Sequence, residues 1–509
     1  MIKTLRDVLF NNPRIDPDRT ALISDDSKMT YREFRDAVTR VASALVAEGV
    51  GVGDRVSVLL ENVPEYVISY FAITSIGAIY VPLNWRLHAS EHVVLMKNSE
   101  PKVAIVSCAF DETVRAVQAD VSSLTRIVTV GKSLPGCVDF KTWCSAAGAL
   151  PTDQVPKPQD GAIIVYTSGT TGLPKGVLLT QEAVVIDLHN VAGYGKETRE
   201  SIVVHVSPLY HQTFVHVLAH LAFGGTVVLM KKFDAGNVLS AIERHKATYI
   251  MLAPTMLYEL LDHPERSKFN LSSLQTVVYG AAPITGARLR SAIAVLGSSL
   301  INAYGLTEAT SHVSYLSKEE HLIAEGSIGK GIPGVGVRVV NEDGSATQPG
   351  QVGEIIVHGP TVMKEYWRAP ETTAETIVDG WLHSGDLAKI DERGYLYVVD
   401  RKKDLVISGG VNIYPRDIEN ILAECPGVAE VAAFGLPDPY WGEALVGAVV
   451  PKAGVVLEPE FVQSFCRARL GGYQVPKKIF VLSELPKNAT GKILKRELRK
   501  QFPAFSEKQ

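Results

Sequence analysis

Hydrophobic positions along this chain recur with two periods. After Thr30, the run YREFRDAVTRVASALVAEG returns an apolar residue every three or four positions and stops at Gly49 and Gly51. That spacing, with Thr30 as N-cap, predicts an amphipathic helix. DRVSVLL (54–60) reads as a strand, a helix is expected from about Pro64, and AIYVPL reads as a second strand. The same grammar recurs at KVAIVS, RIVTVG, AIIVYTS, VVHVSPL, TVVLM, TYIMLAP, LQTVVYG and SLINAYG. Strands alternating with helices predict parallel sheet with helices on its faces. From about residue 350 the grammar changes. VGEIIVHG, GYLYVVD and DLVISGG read as short antiparallel strands, followed by a helix (RDIENILAE), two strands (VAEVAAFG, ALVGAVVP), a helix (PEFVQSFCRARL) and a strand (KKIFVLS). The expected architecture is α/β: a large N-terminal domain of mostly parallel sheets with flanking helices (1–400), plus a small mobile α+β C-terminal domain (401–509). The charged stretch DRKKD (400–404) marks the junction.

Composition narrows the class. A chain of 509 residues exceeds one ordinary core, and 46% hydrophobic with 21% charged residues is a soluble globular balance. Net charge is -4 with Lys and Arg dispersed, which argues against nucleic acid as a partner. The first twenty residues carry no long apolar segment or small-residue cleavage site, so secretion is not expected. The longest apolar stretch, 67–83, is interrupted by Ser, Thr and Gly and is too short for a bilayer; a buried helix running into a strand explains it. Five cysteines sit at no ligand spacing and read as reduced thiols of a cytoplasmic protein.

The densest chemical signal is YTSGTTGLPKGV (166–177). Its glycines open backbone conformations closed to other residues, and its hydroxyls and lysine suit phosphate oxygens. Walker A spacing fails, because Pro174 stands where the second glycine belongs and the loop leads into a strand (VLLT) instead of a helix.

This loop resembles the signature of the adenylate-forming superfamily, which holds acyl-CoA synthetases, peptide-synthetase adenylation domains and firefly-type luciferases. Further stretches match in order: PLYH (208–211), GAAP (280–283), YGLTE (304–308), GWLHSGD (380–386), DRKKD (400–404) and PKNATGK (486–492). Gln181 departs from the pattern, where a histidine usually follows the threonine. The resemblance implies ATP, Mg²⁺ and coenzyme A as cofactors and a small carboxylic acid as substrate. Thr167, Ser168, Gly169, Thr170, Thr171, Gly172 and Lys175 would hold the β- and γ-phosphates. Gly280, Ala281, Ala282, Tyr304 and Gly305 would receive the adenine, with Tyr304 stacking on it. Asp386 would accept from the ribose hydroxyls and Arg401 would assist. Thr307 and Glu308 would serve the metal and nucleotide, Glu308 being an oxygen ligand suited to a hard cation. Lys492 would bridge the carboxylate and the α-phosphate, placing charge where charge develops. His211 is a catalytic-side candidate, and Lys403 the hinge on which the small domain turns.

Within the superfamily a CoA ligase is favoured. Gly409, Gly410 and Trp441 resemble the pantetheine surface of such ligases, and Arg86 stands where they place a CoA phosphate contact. A stand-alone adenylation enzyme loading a carrier thiol is an alternative, although no Asp near 205–215 is placed to hold an amino group. A nucleotide-binding sensor is the other, opposed by the intact Lys492, Glu308 and Asp386. Phe214, Val215, Tyr279 and Ala303 lie in the segments matching the family's acyl pocket, with no Arg or Lys to pair a second carboxylate and no Asp to pair an ammonium. That predicts an apolar aromatic, alicyclic or short-to-medium aliphatic acid, with His211 and His216 leaving an opening for a hydroxyl or keto oxygen.

Overall fold

The computed structural model describes residues 2–145, 148–167, 174–282, 284, 286–487 and 493–502. Thr30 caps the helix Tyr31–Ala47 as expected, and a capping box with Glu33 completes its N-terminus. The stretch 67–83 is the helix Pro64–Ser75 followed by the strand Ile79–Pro82, and every residue from Tyr66 to Pro82 is buried. A helix apolar all round is stable only when enclosed on every side, and this one lies inside the largest core. No helix among the described residues is long and apolar enough to cross a membrane.

The strands before residue 331 divide into two sheets, a division that local pattern does not reveal. The first has eight strands. Gly161–Thr167, Ile79–Pro82, Arg55–Leu59, Val103–Ser107, Arg126–Val130 and Val138–Asp139 run parallel; Lys175–Thr180 and Glu365–Tyr366 add antiparallel edges. The second has nine. Its parallel centre is Leu300–Tyr304, Thr276–Gly280, Tyr249–Leu252, Ile202–His205, Thr226–Leu229 and Thr20–Ser24, again with antiparallel edges. A five-stranded antiparallel sheet follows, built on Gly336–Val340, Val352–His358, Trp381–Ile390, Leu396–Arg401 and Ile377–Val378.

The last hundred residues hold another five-stranded sheet, with Gly442–Pro451 at its centre and Val428–Asp438 antiparallel beside it. The helices Pro415–Glu424 and Pro459–Arg467 cover one face and enclose a core of Val406, Ile418, Leu422, Val449 and Val462 that is distinct from the large one. Arg401 still pairs across from Asp386 in the sheet of the large part. The chain leaves that sheet at the short turn Lys402–Asp404, within the charged stretch 400–404.

Candidate active site

The chemical motifs hang from the carboxyl ends of parallel strands, where open α/β sheets leave crevices. Gly280 ends one strand and Tyr304 its neighbour, Thr167 ends a strand of the other sheet, and PLYH follows Ile202–His205. Two glycines make this geometry possible by close approach. A Cβ on Gly280 would lie 2.2 Å from the carbonyl oxygen of Ala303, and one on Gly305 would collide with the carbonyl of Ser311. Ala281 takes a positive φ of 67° as the chain leaves the sheet, with Ala282 following on the surface turn.

On the nucleotide side the polar groups are already paired. Asp386 is 4% exposed; its Oδ2 accepts from the Tyr304 hydroxyl at 2.6 Å and its Oδ1 lies 3.0 Å from Arg401 Nε. Burial and the neighbouring carboxylate push the Tyr304 hydroxyl well above its ordinary range, so it stays a neutral donor. Glu354 stands behind this clamp, accepting from the Gly385 amide at 3.0 Å and meeting His383 and Lys402 at 3.3 Å each. Burial alone would raise the Glu354 carboxyl, but His383, the Gly385 amide and Lys402 outweigh it and hold it below its ordinary value. Thr307 and Glu308 form a single 3₁₀ turn, and Glu308 Oε1 accepts from the Tyr366 hydroxyl at 2.9 Å. Lys175 Nζ lies 5.0 Å from the centroid of the same Tyr366 ring. Tyr366 therefore links the end of the phosphate loop to Glu308, and so does a strand pairing, Tyr366 with Val177. Neither Tyr366 nor Glu354 was singled out in the sequence, because each becomes relevant only through a partner distant along the chain. Ser168, Gly169, Thr170, Thr171, Gly172 and Lys492 lie outside the described residues, while Thr167 and Lys175 pair directly at the loop's base.

The acid side is different. A cavity with an envelope of about 380 Å³, of which about 20 Å³ is open to a water-sized group, is lined by Tyr210, His211, Gln212, Phe214, Val215 and Thr310, together with Tyr66, Tyr70 and Tyr80. Among the described residues, no Asp, Glu, Lys or Arg lines it. Burial and the nearby charge of Arg86 lower His211 to about 4, so its ring is neutral at pH 7. Its Nε2 has no hydrogen-bond partner among the described residues. Arg86 stacks over Trp85 at 5.0 Å and lies near enough for its charge to act on Tyr210 and His211.

Two residues expected at the acid pocket have hydrogen-bond partners elsewhere in the fold. His216 is not among the cavity-lining residues. Phe214, Val215 and Leu218 of the buried helix Phe214–Ala222 line the cavity, whereas His216 bonds the Tyr249 hydroxyl at 2.7 Å and packs edge-on to His312. It belongs to a buried network in which His312 meets Asp187 and Tyr194 at 3.2 Å, and His220 meets Glu197 at 2.7 Å. Tyr279 is likewise turned to another partner, its hydroxyl 3.1 Å from His321. The cavity is also lined by Tyr66 and Tyr70, four apart on one helix face, a spacing visible in PEYVISYF. The departure at Gln181 is structural: fully buried, it accepts from the Leu5 amide at 2.9 Å and donates to the Thr74 carbonyl at 3.0 Å.

In the small domain, Gly409 and Gly410 form the turn between strands Val406–Ser408 and Val411–Ile413. The Gly409 amide donates to the Trp441 carbonyl at 2.8 Å, which brings this turn against Trp441. Trp441 is partly exposed beside exposed Tyr440, with Lys477 4.9 Å from its ring. At the junction, the Asp400 carboxylate accepts from the amides of Arg401 and Arg416, and Arg499 pairs with Asp404 at 3.2 Å. Burial and the adjacent Arg401 charge lower the ammonium of Lys403.

Comparison with known proteins identifies the family. The model of the AMP-binding enzyme family matches residues 9–367, and that of the AMP-binding enzyme C-terminal domain matches 417–492. The chain belongs to this adenylate-forming family. It is 39% identical over 493 residues to a feruloyl-CoA synthase of Amycolatopsis sp, covering 96% of this chain and 97% of that protein. It is 36% identical to an indoleacetate–CoA ligase of Aromatoleum aromaticum, covering 95% of each. Among solved structures, ATP-bound MatB from Rhodopseudomonas palustris superposes with a TM-score of 0.92 at 32% identity, over 99% of both chains. This member of the AMP-binding family is an adenylate-forming CoA ligase, an acid–thiol ligase of the AMP-forming acyl-CoA synthetase kind.

Proposed function

We propose that this ligase activates an apolar aromatic, alicyclic or short-to-medium aliphatic acid. The carboxylate attacks the α-phosphorus of ATP, a P–O bond breaks and pyrophosphate leaves; the CoA thiol then attacks the acyl carbon and AMP leaves. The observation that carries the substrate reading is the cavity beside the Glu308 turn, bounded mostly by aromatic and aliphatic side chains, with no Asp, Glu, Lys or Arg among the described residues that line it. A second carboxylate or an ammonium on the acid's tail would be buried there without a partner. The aromatic acids in the names of two relatives, feruloyl and indoleacetate, fit the same reading.

In this reading Asp386, oriented by Tyr304 and Arg401, accepts from the ribose hydroxyls, and Lys175 and Thr167 serve the phosphates. Glu308 offers a carboxylate oxygen to Mg²⁺, which suits a hard cation, and its other oxygen is tied to Tyr366. When bound, the ion supplies positive charge against the phosphates. Lys492 holds the two anions together for the first half-reaction only. Domain rotation at Lys402–Asp404 then brings Gly409, Gly410 and Trp441 to the adenylate, so one site serves both steps.

The test is acid-dependent pyrophosphate release, with and without CoA, across benzoate, cyclohexanecarboxylate, hexanoate, decanoate, malonate and phenylalanine. Highest kcat/KM is expected among the first four. A clear preference for malonate or phenylalanine sinks this reading of the pocket.

A further inference from the structure

The turn that carries Glu308 adopts a backbone that its own residues disfavour. It lies in the stretch 305–313, closed where Tyr304 pairs with Ser314 across two antiparallel strands. Thr310 has a φ of 65° and Ser311 a φ of 140°; among the described residues they are the only consecutive non-glycines with positive φ. Such conformations persist only where the surroundings over-determine them. On one side the turn is held through its backbone and a hydroxyl. The Met363 amide donates to the Glu308 carbonyl at 2.7 Å, and the Thr310 hydroxyl donates to the Thr361 carbonyl. On the other side it is held by His312.

His312 directly follows the two strained residues and is buried. Its Nδ1 lies 3.2 Å from Asp187 Oδ1 and its Nε2 3.2 Å from the Tyr194 hydroxyl. Asp187 is fully buried on the helix Gln181–Gly195. Burial pushes its carboxyl up and the neighbouring His312 draws it back, so the pairing is what makes a carboxylate tolerable there. Val184, one helical turn before Asp187, lines the acid cavity. The helix continues from the strand Lys175–Thr180, which begins at the phosphate-loop lysine. The His312 ring also packs edge-on to His216 at 5.3 Å, on the helix whose Phe214 and Val215 line the cavity. One polar pair thus joins the Glu308 turn to two helices that wall the acid cavity. A buried pair of this kind contributes little stability beyond apolar residues of similar volume, so its use here points to geometry.

We propose that Asp187 and His312 are positioning residues for adenylate formation, holding the strained turn so that Glu308 and Thr310 keep fixed places relative to the phosphate loop and the acid cavity. The inference rests on the reading of Glu308 as the metal-side carboxylate and deepens it with two residues that act through the turn. Without the pair, Thr310 and Ser311 relax toward ordinary dihedrals, and Glu308 moves together with the cavity wall. A misplacement of about 1 Å in a reacting site costs on the order of 10²-fold in rate. Thioester formation is spared, because a supplied acyl-adenylate already contains the bond that this geometry serves to make.

The test measures both half-reactions on one preparation, so that the folded fraction cancels in their ratio. The acid is the one with the highest kcat/KM in the panel above, and its acyl-adenylate is supplied for the second step. Asp187→Asn and His312→Gln should each lower adenylate formation at least about tenfold and leave thioester formation within about threefold of wild type. Glu197→Gln breaks the other buried pair of the same network, with His220, and should leave the ratio of the two rates unchanged. Unchanged rates, equal losses in both half-reactions, failure of Asp187→Asn or His312→Gln to fold, or an altered ratio in Glu197→Gln each overturns the proposal. In the last three cases the pair would serve the fold in general. No pyrophosphate release with any acid of the panel, or an unchanged Mg²⁺ dependence in Glu308→Gln, would overturn the underlying reading of the site and this inference with it.

Discussion

The residues proposed for the nucleotide and those proposed for the acid are built in opposite ways. Asp386, Tyr304 and Arg401 pair with one another, and Glu308 pairs with Tyr366. Tyr66, Tyr70, Tyr80, Tyr210 and His211 line a cavity whose described lining holds no Asp, Glu, Lys or Arg. A clamp paired within the fold holds its geometry and would meet the same nucleotide whatever acid is used, so the electrostatic work is done in advance. A neutral, largely aromatic wall makes binding depend on the fit of the acid's tail, which is how a pocket discriminates.

The largest expected effect cuts across both regions. Lys492→Ala should lower adenylate formation about 10²–10³-fold while sparing thioester formation from a supplied acyl-adenylate, as for loss of one pre-organised donor. Equal losses in both half-reactions would make Lys492 a shared or structural group. Asp386→Ala sharpens the contrast. It removes the ribose acceptor and leaves Arg401 and Tyr304 without their carboxylate, so kcat/KM for ATP should fall about 10²-fold. The factor should be the same for every acid tested, and a factor that varied with the acid would merge the two regions.

The third effect is on stability. Burial holds His205 and His211 at about 4 instead of their ordinary 6.5. Between those values the unfolded chain binds protons that the folded chain refuses, so stability falls as pH drops from 6.5 toward 4. Each histidine should contribute about 2 kcal/mol of loss between pH 6.5 and 5. Denaturant unfolding at pH 7 and pH 5 measures the total, and His211→Gln should recover one histidine's share. The smallest effect tests the link across the nucleotide side. Tyr366→Phe deletes the bond to Glu308, worth about 1 kcal/mol, and should raise the Mg²⁺ concentration needed for half-maximal activity about fivefold with little change at saturation. An unchanged Mg²⁺ dependence would leave Tyr366 a packing residue only.

Much of this enzyme is determined locally and so was legible in the order of its residues. The capping box at Thr30, the alternation of strand and helix, the turn at Gly409 and Gly410, and the motif carrying Asp386 are all short-range. They follow from dihedral preference, hydrophobic period and residue type, which neighbours in sequence decide. Even the uniformly apolar stretch ending at Pro82 announced its burial. Other features depended on elements hundreds of residues apart. The split into two sheets arises because strands from 20–24 and 226–229 pair across the chain. Tyr366 reaches Glu308 only because its two-residue strand adds to the edge formed by Lys175–Thr180. His216, four residues from His220 and five from His211, turns to Tyr249 while His211 faces the cavity, because the helix between them is buried on every side and must choose neighbours for each face. Which buried hydroxyls find a partner is settled last of all. That depends on close packing between separate sheets and on angles of a few degrees, and no local preference along the chain encodes either.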